Sequence, residues 1–205
     1  MENSPSLIYS YFGQKQRLPR ILEESRGQRL ILVDDHAKEP LEKQRGADCY
    51  RVLDDIAWNA GGAVNLGFQE AEGWVIYADI DHLITKEMID EIGKWDLQKG
   101  TMYLFGRKWI RNSDACYMIH KDDFEKIGGY DEDFSGHYGY VDVEFMDRCR
   151  KNLNVIERRD IKAEYFEDEG VELERDEEFC KMLYELKKHN QTNKGKRIRF
   201  NWEKI

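Results

Sequence analysis

The feature that most constrains the fold is an apolar run at residues 74–78 that ends in two carboxylates, Asp79 and Asp81, one residue apart. Continuous apolar runs of this length are typical of strands buried on both faces, as in parallel sheets. Ligands of such sheets bind beyond the carboxyl ends of the strands. Two carboxylates at that position suit a hard divalent cation such as Mg²⁺ or Mn²⁺. The alternative for the same residues is a cap on the next helix.

Length and charge narrow the class of protein. With 205 residues, 40% of them hydrophobic, the chain is long enough for one domain with a sizeable core. Its net charge of −9 argues against binding to nucleic acid or to anionic membranes. A phosphorylated substrate would therefore need local neutralisation by a metal or a basic cluster.

The four cysteines lie far apart and form no C-x-x-C pair, which favours free buried thiols in a reducing compartment. No run of residues is apolar enough to span a bilayer, and the N-terminus lacks a signal-peptide pattern. We therefore expect a cytoplasmic protein without a transmembrane segment.

Strand-like and helix-like segments alternate along the chain, which predicts an α/β fold with a mainly parallel central sheet. Strands are predicted at residues 6–12, 29–33, 49–53, 74–78, 102–105 and 116–119. Helices are predicted at residues 16–25, 62–71, 87–95, 121–127 and 171–189. The basic tail 193–205 is expected to fold back over the site, to dock on a partner or simply to be solvated.

A second acid pair, Asp34 and Asp35, ends the predicted strand at 29–33. If the two strands are parallel neighbours, both acid pairs face one crevice. A turn before Lys38 is the simpler interpretation of Asp34 and Asp35. The glycine-rich stretch 59–67 lies between the two pairs, and its Asn65 is a candidate for lining the site. That stretch matches neither a dinucleotide fingerprint nor a phosphate-binding loop.

A third informative segment, residues 128–149, is a loop rich in glycine and aromatic residues that leads into a helix. Asp142 and Glu144 fall in the first turn of this helix, where carboxylates favour the helix dipole. The aromatic residues of the loop suit a sugar platform; they are Tyr130, Phe134, His137, Tyr138 and Tyr140.

These blocks together resemble a GT-A glycosyltransferase of the family 2 type over residues 6–167. The resemblance rests on Val-Asp-Asp at 33–35, Gly-Ala-x-Asn-x-Gly at 62–67, Asp-x-Asp at 79–81, Gly-Gly-Tyr-Asp-Glu-x-Phe at 128–134 and Gly-Tyr-x-Asp at 139–142. It implies a Rossmann-like three-layer α/β/α domain at 1–170. The nucleotide would bind in 1–82 and the acceptor in 83–170, with 171–205 packing on the same domain.

The resemblance also implies roles for the donor-side residues. Asp35 would contact the nucleotide base in a pocket walled by Tyr11 and Phe12. Asn65 would lie near the ribose or the diphosphate. Asp81 would ligate Mn²⁺ or Mg²⁺, with Asp79 at the ribose or in the water shell of the metal.

On the acceptor side, Asp142 occupies the position of the catalytic base of inverting members. Trp109, which follows the strand at 102–105, and His137, Tyr138 and Tyr140 are candidate acceptor contacts. A solvated turn is the alternative for Trp109.

The chain departs from the family pattern in two places. Val141 stands where relatives have a glutamate, and no histidine follows where relatives supply a further metal ligand. Glu164 or Glu167 is the substitute that we consider for that ligand.

The function predicted from the sequence is metal-dependent, inverting transfer of a sugar from a nucleotide diphosphate sugar, UDP being favoured over GDP, to a glycan or other hydroxyl acceptor. A retaining GT-A enzyme and a catalytically silent nucleotide- or sugar-binding module are the alternatives. A sugar nucleotidyltransferase is disfavoured, because the segment after the first strand lacks a glycine-rich loop with an arginine.

Overall fold

The computed structural model describes residues 4–107, 115–167, 177–189 and 197–205. Its strands form one nine-stranded sheet in the order β5-β8-β6-β7-β4-β1-β2-β3-β9. The strands are β1 (Ser6–Tyr11), β2 (Leu30–Asp34), β3 (Ala47–Val52), β4 (Trp74–Asp79), β5 (His82–Leu83), β6 (Thr101–Arg107), β7 (Cys116–His120), β8 (Asn154–Tyr165) and β9 (Trp202–Lys204).

Helices cover both faces of this sheet. They are α1 (Leu18–Glu24), α2 (Ala60–Glu70), α3 (Lys86–Ile92), α4 (Lys121–Lys126), α5 (Val141–Asn152) and α6 (Glu178–Lys187). α2, α4 and α5 bury their apolar residues in one core layer, and α1 and α3 bury theirs in the other. Neighbouring residues of the central strands alternate between the two layers, as Leu7 and Ile8 do. The predicted three-layer α/β/α architecture is confirmed.

Parallel pairing joins β4, β1, β2 and β3, and also β6 with β8. β7, β5 and β9 pair antiparallel with their neighbours. At the end of β1, Ser10 lies beside Asp79 of β4, and Tyr11 lies beside Asp34 of β2. The strands that carry the two acid pairs therefore end at the same edge of the sheet, one on each side of β1.

The sequence pattern did not indicate the full length of β8, nor the short strands β5 and β9. Most of β8 is exposed or partly exposed and only Ala163 is buried, so its side chains show no buried face. β9 adds to the edge of β3, with Arg51 opposite Glu203. Of the fates considered for the tail, its described part is neither spread over the cleft nor simply solvated, because it forms an edge strand.

Two further expectations can be compared with the described residues. No helix among them is long and apolar enough to cross a membrane. All four cysteines are buried and carry no disulfide.

Candidate active site

A cleft of about 340 Å³ opens over the carboxyl ends of β1 and β4. Phe12, just beyond β1, forms one wall, and the first turn of α2 forms another at Ala60 and Gly61. Asp79 and Asp81 line the cleft from the end of β4, and Asp142 lines it from the first turn of α5. Three carboxylates from distant parts of the chain therefore share one cavity.

The environment of Asp79 raises the pKa of its carboxyl. Burial, together with the charges of Asp81 and Asp142, raises this pKa to about 6, although the Tyr77 hydroxyl donates a hydrogen bond to the carboxylate and opposes the shift. Asp81 remains partly exposed, with 30% of its side chain accessible, and hydrogen bonds to the neighbouring His82. Crowding of negative charge at this point favours a bound cation.

The described residues hold no group of three or more His, Cys, Asp or Glu side chains that could bind a metal by themselves. Small divalent cations commonly use one or two carboxylates and complete their shell with substrate phosphates and water. Asp79 and Asp81 therefore fit a cation that binds together with a diphosphate. Glu164, considered as a third ligand, instead forms an ion pair with Arg20 outside the cleft.

The two acids of the second pair have different roles: Asp34 is structural, and Asp35 is a candidate functional residue. Asp34 is inaccessible and accepts hydrogen bonds from the backbone of Ala37 (2.8 Å) and Leu41 (2.9 Å) and from Arg51 (3.1 Å). This matches the turn interpretation for that residue.

Asp35 has a different environment from Asp34, although neither residue belongs to the cleft lining. Its Oδ2 accepts from the Asn59 backbone N–H at 3.0 Å, whereas its buried Oδ1 has no hydrogen-bond partner among the described residues. Burial is the main cause that raises the pKa of this carboxyl, to about 7. A buried oxygen without a partner is costly in a folded protein, and a ligand N–H would satisfy it.

An aromatic stack lines one side of the cleft. The Phe12 ring lies 5.2 Å from the Trp58 ring at 8°, and Trp58 contacts Tyr138 at 5.0 Å. The buried Trp58 Nε1–H has no hydrogen-bond partner in the part of the chain that the structure describes. Trp58 was not indicated by the sequence; its place immediately before the glycine-rich stretch was the available signal.

Two of the predicted donor contacts do not line this cleft. The Tyr11 ring is completely buried in the core layer opposite Phe12, and its hydroxyl donates to the Glu39 carbonyl at 3.0 Å. Successive residues of a strand face opposite sides, so only one of the two can line the pocket.

The other is Asn65, which lies outside the cleft lining. Its amide donates to the Tyr130 carbonyl (3.0 Å) and to the Glu132 carboxylate (2.8 Å), and it accepts from the Tyr130 backbone N–H (2.8 Å). Asn65 therefore ties α2 to the glycine-rich loop and has little capacity left for a ligand.

Asp142 is the second residue of α5. The turn that precedes it uses left-handed backbone at Gly139 (φ +93°) and Tyr140 (φ +58°). Asp142 itself is exposed, while Glu144 of the same turn is buried and accepts from the Arg148 guanidinium at 2.7 and 2.6 Å. This ion pair lies within α5, and Arg148 also donates to the Ile127 carbonyl at 2.6 Å. The two acids of this turn therefore have separate tasks.

The predicted acceptor contacts are dispersed. Tyr138 lines the cleft, whereas His137 stacks on Phe179 at 3.9 Å and Tyr140 packs against Tyr184, both on α6. Trp109 lies outside the described residues.

Of the remaining aromatic residues of this loop, Tyr130 and Phe134 are buried. Tyr130 stacks on Phe145 in the core at 4.2 Å and reaches the cleft as part of its floor. The sugar platform predicted for the loop therefore reduces mainly to Tyr138.

One cation also lines the cleft. Arg17, from the 3₁₀ turn at Lys15–Arg17, is 4% exposed, and its guanidinium lies 5.6 Å from the Phe166 ring centre. Among the described lining residues it is the single Lys or Arg. The sequence pattern predicted residue 17 within a regular helix at 16–25, so it did not indicate that the Arg17 side chain lines the cleft.

Solved structures share this architecture. One is a Drosophila β1,4-galactosyltransferase 7 variant solved with manganese, UDP-Gal and xylobiose. The alignment covers 95% of this chain and 76% of that protein, with 14% sequence identity and a TM-score of 0.53. GalNAc-T7 with UDP, GalNAc and Mn²⁺ matches 80% of this chain over 44% of its own, at 12% identity and a TM-score of 0.61. The chain has the GT-A glycosyltransferase fold.

The glycosyltransferase GlyE of Streptococcus pneumoniae shares this GT-A fold at 10% identity and a TM-score of 0.50, with 77% of this chain covered and 46% of GlyE. The chain thus spans less than half of GalNAc-T7 and of GlyE. A family model described as the N-terminal domain of galactosyltransferase matches residues 113–169 of this chain, a range that includes Asp142. No curated protein matches this chain in sequence.

Proposed function

We propose that this protein is a metal-dependent glycosyltransferase that moves a sugar from a UDP-sugar to a hydroxyl group of a glycan or glycoconjugate. The observation that carries the proposal is the convergence of Asp79, Asp81 and Asp142 in one cleft of a GT-A fold. The neighbours solved with UDP or UDP-Gal and manganese support the choice of donor and cation.

The nucleotide is assigned to residues 1–82. Asp35 Oδ1 would accept a base N–H, which gives the buried oxygen the partner that it lacks. Phe12 and Trp58, which line the cleft, would offer aromatic faces to the base. A uracil carries one ring N–H between two carbonyl groups, so a carboxylate acceptor and an N–H donor such as that of Trp58 would complement its edge.

The diphosphate is assigned to the Asp79–Asp81 end of the cleft. Asp81, with Asp79 beside it, would hold Mn²⁺ or Mg²⁺; when bound, such a cation neutralises the charge that develops on the departing nucleoside diphosphate. Arg17 supplies a second positive charge on the cleft wall. Its guanidinium suits a phosphate oxygen because it offers several N–H donors in one plane.

The acceptor is assigned to residues 83–170, with Asp142 as the base. The acceptor oxygen attacks the anomeric carbon, the bond from that carbon to the diphosphate oxygen breaks, and the hydroxyl proton passes to the Asp142 carboxylate. Asp142 is exposed in the first turn of α5, so its carboxylate is accessible to an acceptor hydroxyl. Attack from the face opposite the leaving group inverts the anomeric configuration.

The test is a screen of UDP- and GDP-sugars for Mn²⁺-dependent donor hydrolysis, followed by transfer assays with glycan acceptors. Asp142→Asn should retain UDP affinity and lower transfer by about a hundred-fold or more, since it removes a general base. Asp147→Asn is the matched control, because Asp147 lies on the same helix and accepts from Tyr184 outside the cleft.

Anomeric NMR of the product decides the stereochemistry. Inversion is expected. Retention, or full transfer by Asp142→Asn, would contradict the role of Asp142 and leave a retaining enzyme as the interpretation.

A further inference from the structure

Tyr77 lines the cleft two residues before Asp79 and takes no part in the transfer proposed for the site. Its hydroxyl donates a hydrogen bond to Asp79 Oδ1. A tyrosine holds its proton at neutral pH, and an ionised carboxylate oxygen only accepts, so the tyrosine is the donor in this contact. Residues two apart in a strand lie on the same face of the sheet, which places the ring and the carboxylate side by side.

Packing holds the Tyr77 ring in position. The side chain is 4% exposed and belongs to the core layer that the sheet shares with α2 and α5. Its ring contacts that of Tyr117, the residue opposite it on β7, with 5.2 Å between the ring centres. On the other side of β4, Ile8 of β1 is the residue beside it. To move its hydroxyl away from Asp79, the ring would have to displace close-packed neighbours.

The carboxylate of Asp79 lies where a restraint matters. Its main chain is fixed, because the Asp79 N–H donates to the Ala115 carbonyl at 2.9 Å. Its side chain is partly exposed and shares the cleft with the carboxylates of Asp81 and Asp142, whose like charges repel it. In the part of the chain that the structure describes, the Tyr77 hydroxyl is the single hydrogen-bond donor to this carboxylate.

A carboxylate that is restrained before a metal binds loses less rotational freedom on binding. Hydrogen bonds from outer residues to metal-binding carboxylates orient these groups and tune the affinity for the metal. We propose that Tyr77 is a positioning residue whose hydroxyl holds the Asp79 carboxylate in the orientation in which it meets the divalent cation or a water molecule on that cation. This inference rests on the proposed function, since it requires a cation at Asp79 and Asp81.

Removal of one hydroxyl tests this role. Tyr77→Phe keeps the ring and its packing and deletes only the donor to Asp79. Free Mn²⁺ is measured by electron paramagnetic resonance as Mn²⁺ is added to protein and UDP, with a protein-free titration to correct for binding by UDP. Tyr77→Phe should weaken Mn²⁺ binding about ten-fold, the usual effect of losing an outer partner of a metal ligand.

Tyr117→Phe is the matched control. Tyr117 is the adjacent buried tyrosine on β7; its hydroxyl donates to the Tyr130 hydroxyl at 3.3 Å, and Tyr117 itself does not line the cleft. This variant should leave Mn²⁺ binding unchanged, and thermal unfolding should show that both variants are folded. Equal Mn²⁺ affinity of wild type and Tyr77→Phe, or equal weakening by the two variants, would overturn the role of Tyr77 alone.

A double substitution tests whether Tyr77 acts through Asp79. In an Asp79→Ala background, Tyr77→Phe should change Mn²⁺ affinity by less than about two-fold, because the carboxylate that the hydroxyl restrains is absent. The same loss in both backgrounds would show that Tyr77 does not act through Asp79 and would overturn the inference. Absence of Mn²⁺ binding by the wild-type protein with UDP would overturn the proposed function and this inference with it.

Discussion

At the scale of single residues, the adjacent acids Asp34 and Asp35 show how burial and hydrogen bonding decide a role. Asp34 has three donors within 3.1 Å, while Asp35 keeps a buried oxygen without a partner. Asp34 thus stabilises the loop that follows β2. Asp35 adds a cost to the free protein that a nucleotide base would relieve.

The raised pKa of Asp35 makes folding stability depend on pH. Between about 3.8 and about 7 the unfolded chain has lost this proton and the folded chain keeps it, so stability falls as pH rises through that window. Asp35→Asn should remove a slope of about 1.4 kcal/mol per pH unit from the free energy of unfolding. Urea denaturation of both proteins from pH 4 to pH 8 measures it, and parallel slopes would refute the raised pKa.

The same variant tests the contact with the base. Asp35→Asn replaces an ionisable acceptor and should weaken UDP binding about ten-fold or more. Wild-type affinity for UDP should rise with pH through about 7, because the ionised form accepts the base N–H. A flat pH profile in the wild type, with unchanged affinity in the variant, would place the base elsewhere.

Residue patterns predicted Phe12, Asp79, Asp81 and Asp142 as site residues from chain order and strand ends, and these four line the cleft; the role of Asp35 stays a prediction. They did not show that Tyr11 and Asn65 lie outside the cleft. The direction of a side chain and the number of its hydrogen bonds depend on residues that are distant in the sequence. The side-chain amide of Asn65, for example, donates hydrogen bonds to Tyr130 and Glu132, which follow it by 65 and 67 positions in the sequence.

At the scale of elements, Glu132 joins three parts of the chain. Its buried carboxylate accepts from the Asn65 amide of α2 (2.8 Å) and from the backbone N–H groups of Ile198 (2.7 Å) and Arg199 (3.0 Å) in the C-terminal segment. The glycine-rich loop, α2 and the start of the tail are therefore held by one side chain. This supports the proposal that the tail belongs to the catalytic domain.

Glu132→Ala should lower the free energy of unfolding by about 2–4 kcal/mol, because buried donors lose their acceptor. It should also speed proteolytic cleavage within residues 197–205. Asp133→Asn is the control: Asp133 is 42% exposed and its pairs with Lys187 and Arg199 lie at the surface, so its effect should stay below about 1 kcal/mol. Equal effects of the two substitutions would show that Glu132 has no special role.

Strands with buried side chains were predicted to within a few residues of their ends. β4 is an example, because a strand that is buried on both faces consists of an unbroken apolar run. β9 and the full length of β8 escaped prediction for the opposite reason. Edge and exposed strands are held by backbone pairing, which leaves little trace in side-chain polarity.

At the scale of the whole molecule, the charge of the chain opposes its proposed donor. The protein carries a net charge of −9, and three of its carboxylates, Asp79, Asp81 and Asp142, line the cleft where a diphosphate would bind. Arg17 is the one cation that the described residues contribute to the lining, so it offsets only part of this charge. Nucleotide binding should therefore require a divalent cation.

Calorimetric titration of the protein with UDP tests this requirement most directly. We expect UDP to bind in the presence of Mn²⁺, to lose binding when EDTA replaces Mn²⁺, and to lose the Mn²⁺-dependent part of its binding in Asp81→Asn. Equal binding of UDP with Mn²⁺ and with EDTA, or no binding in either condition, would contradict the assignment of the cleft as a metal-dependent donor site.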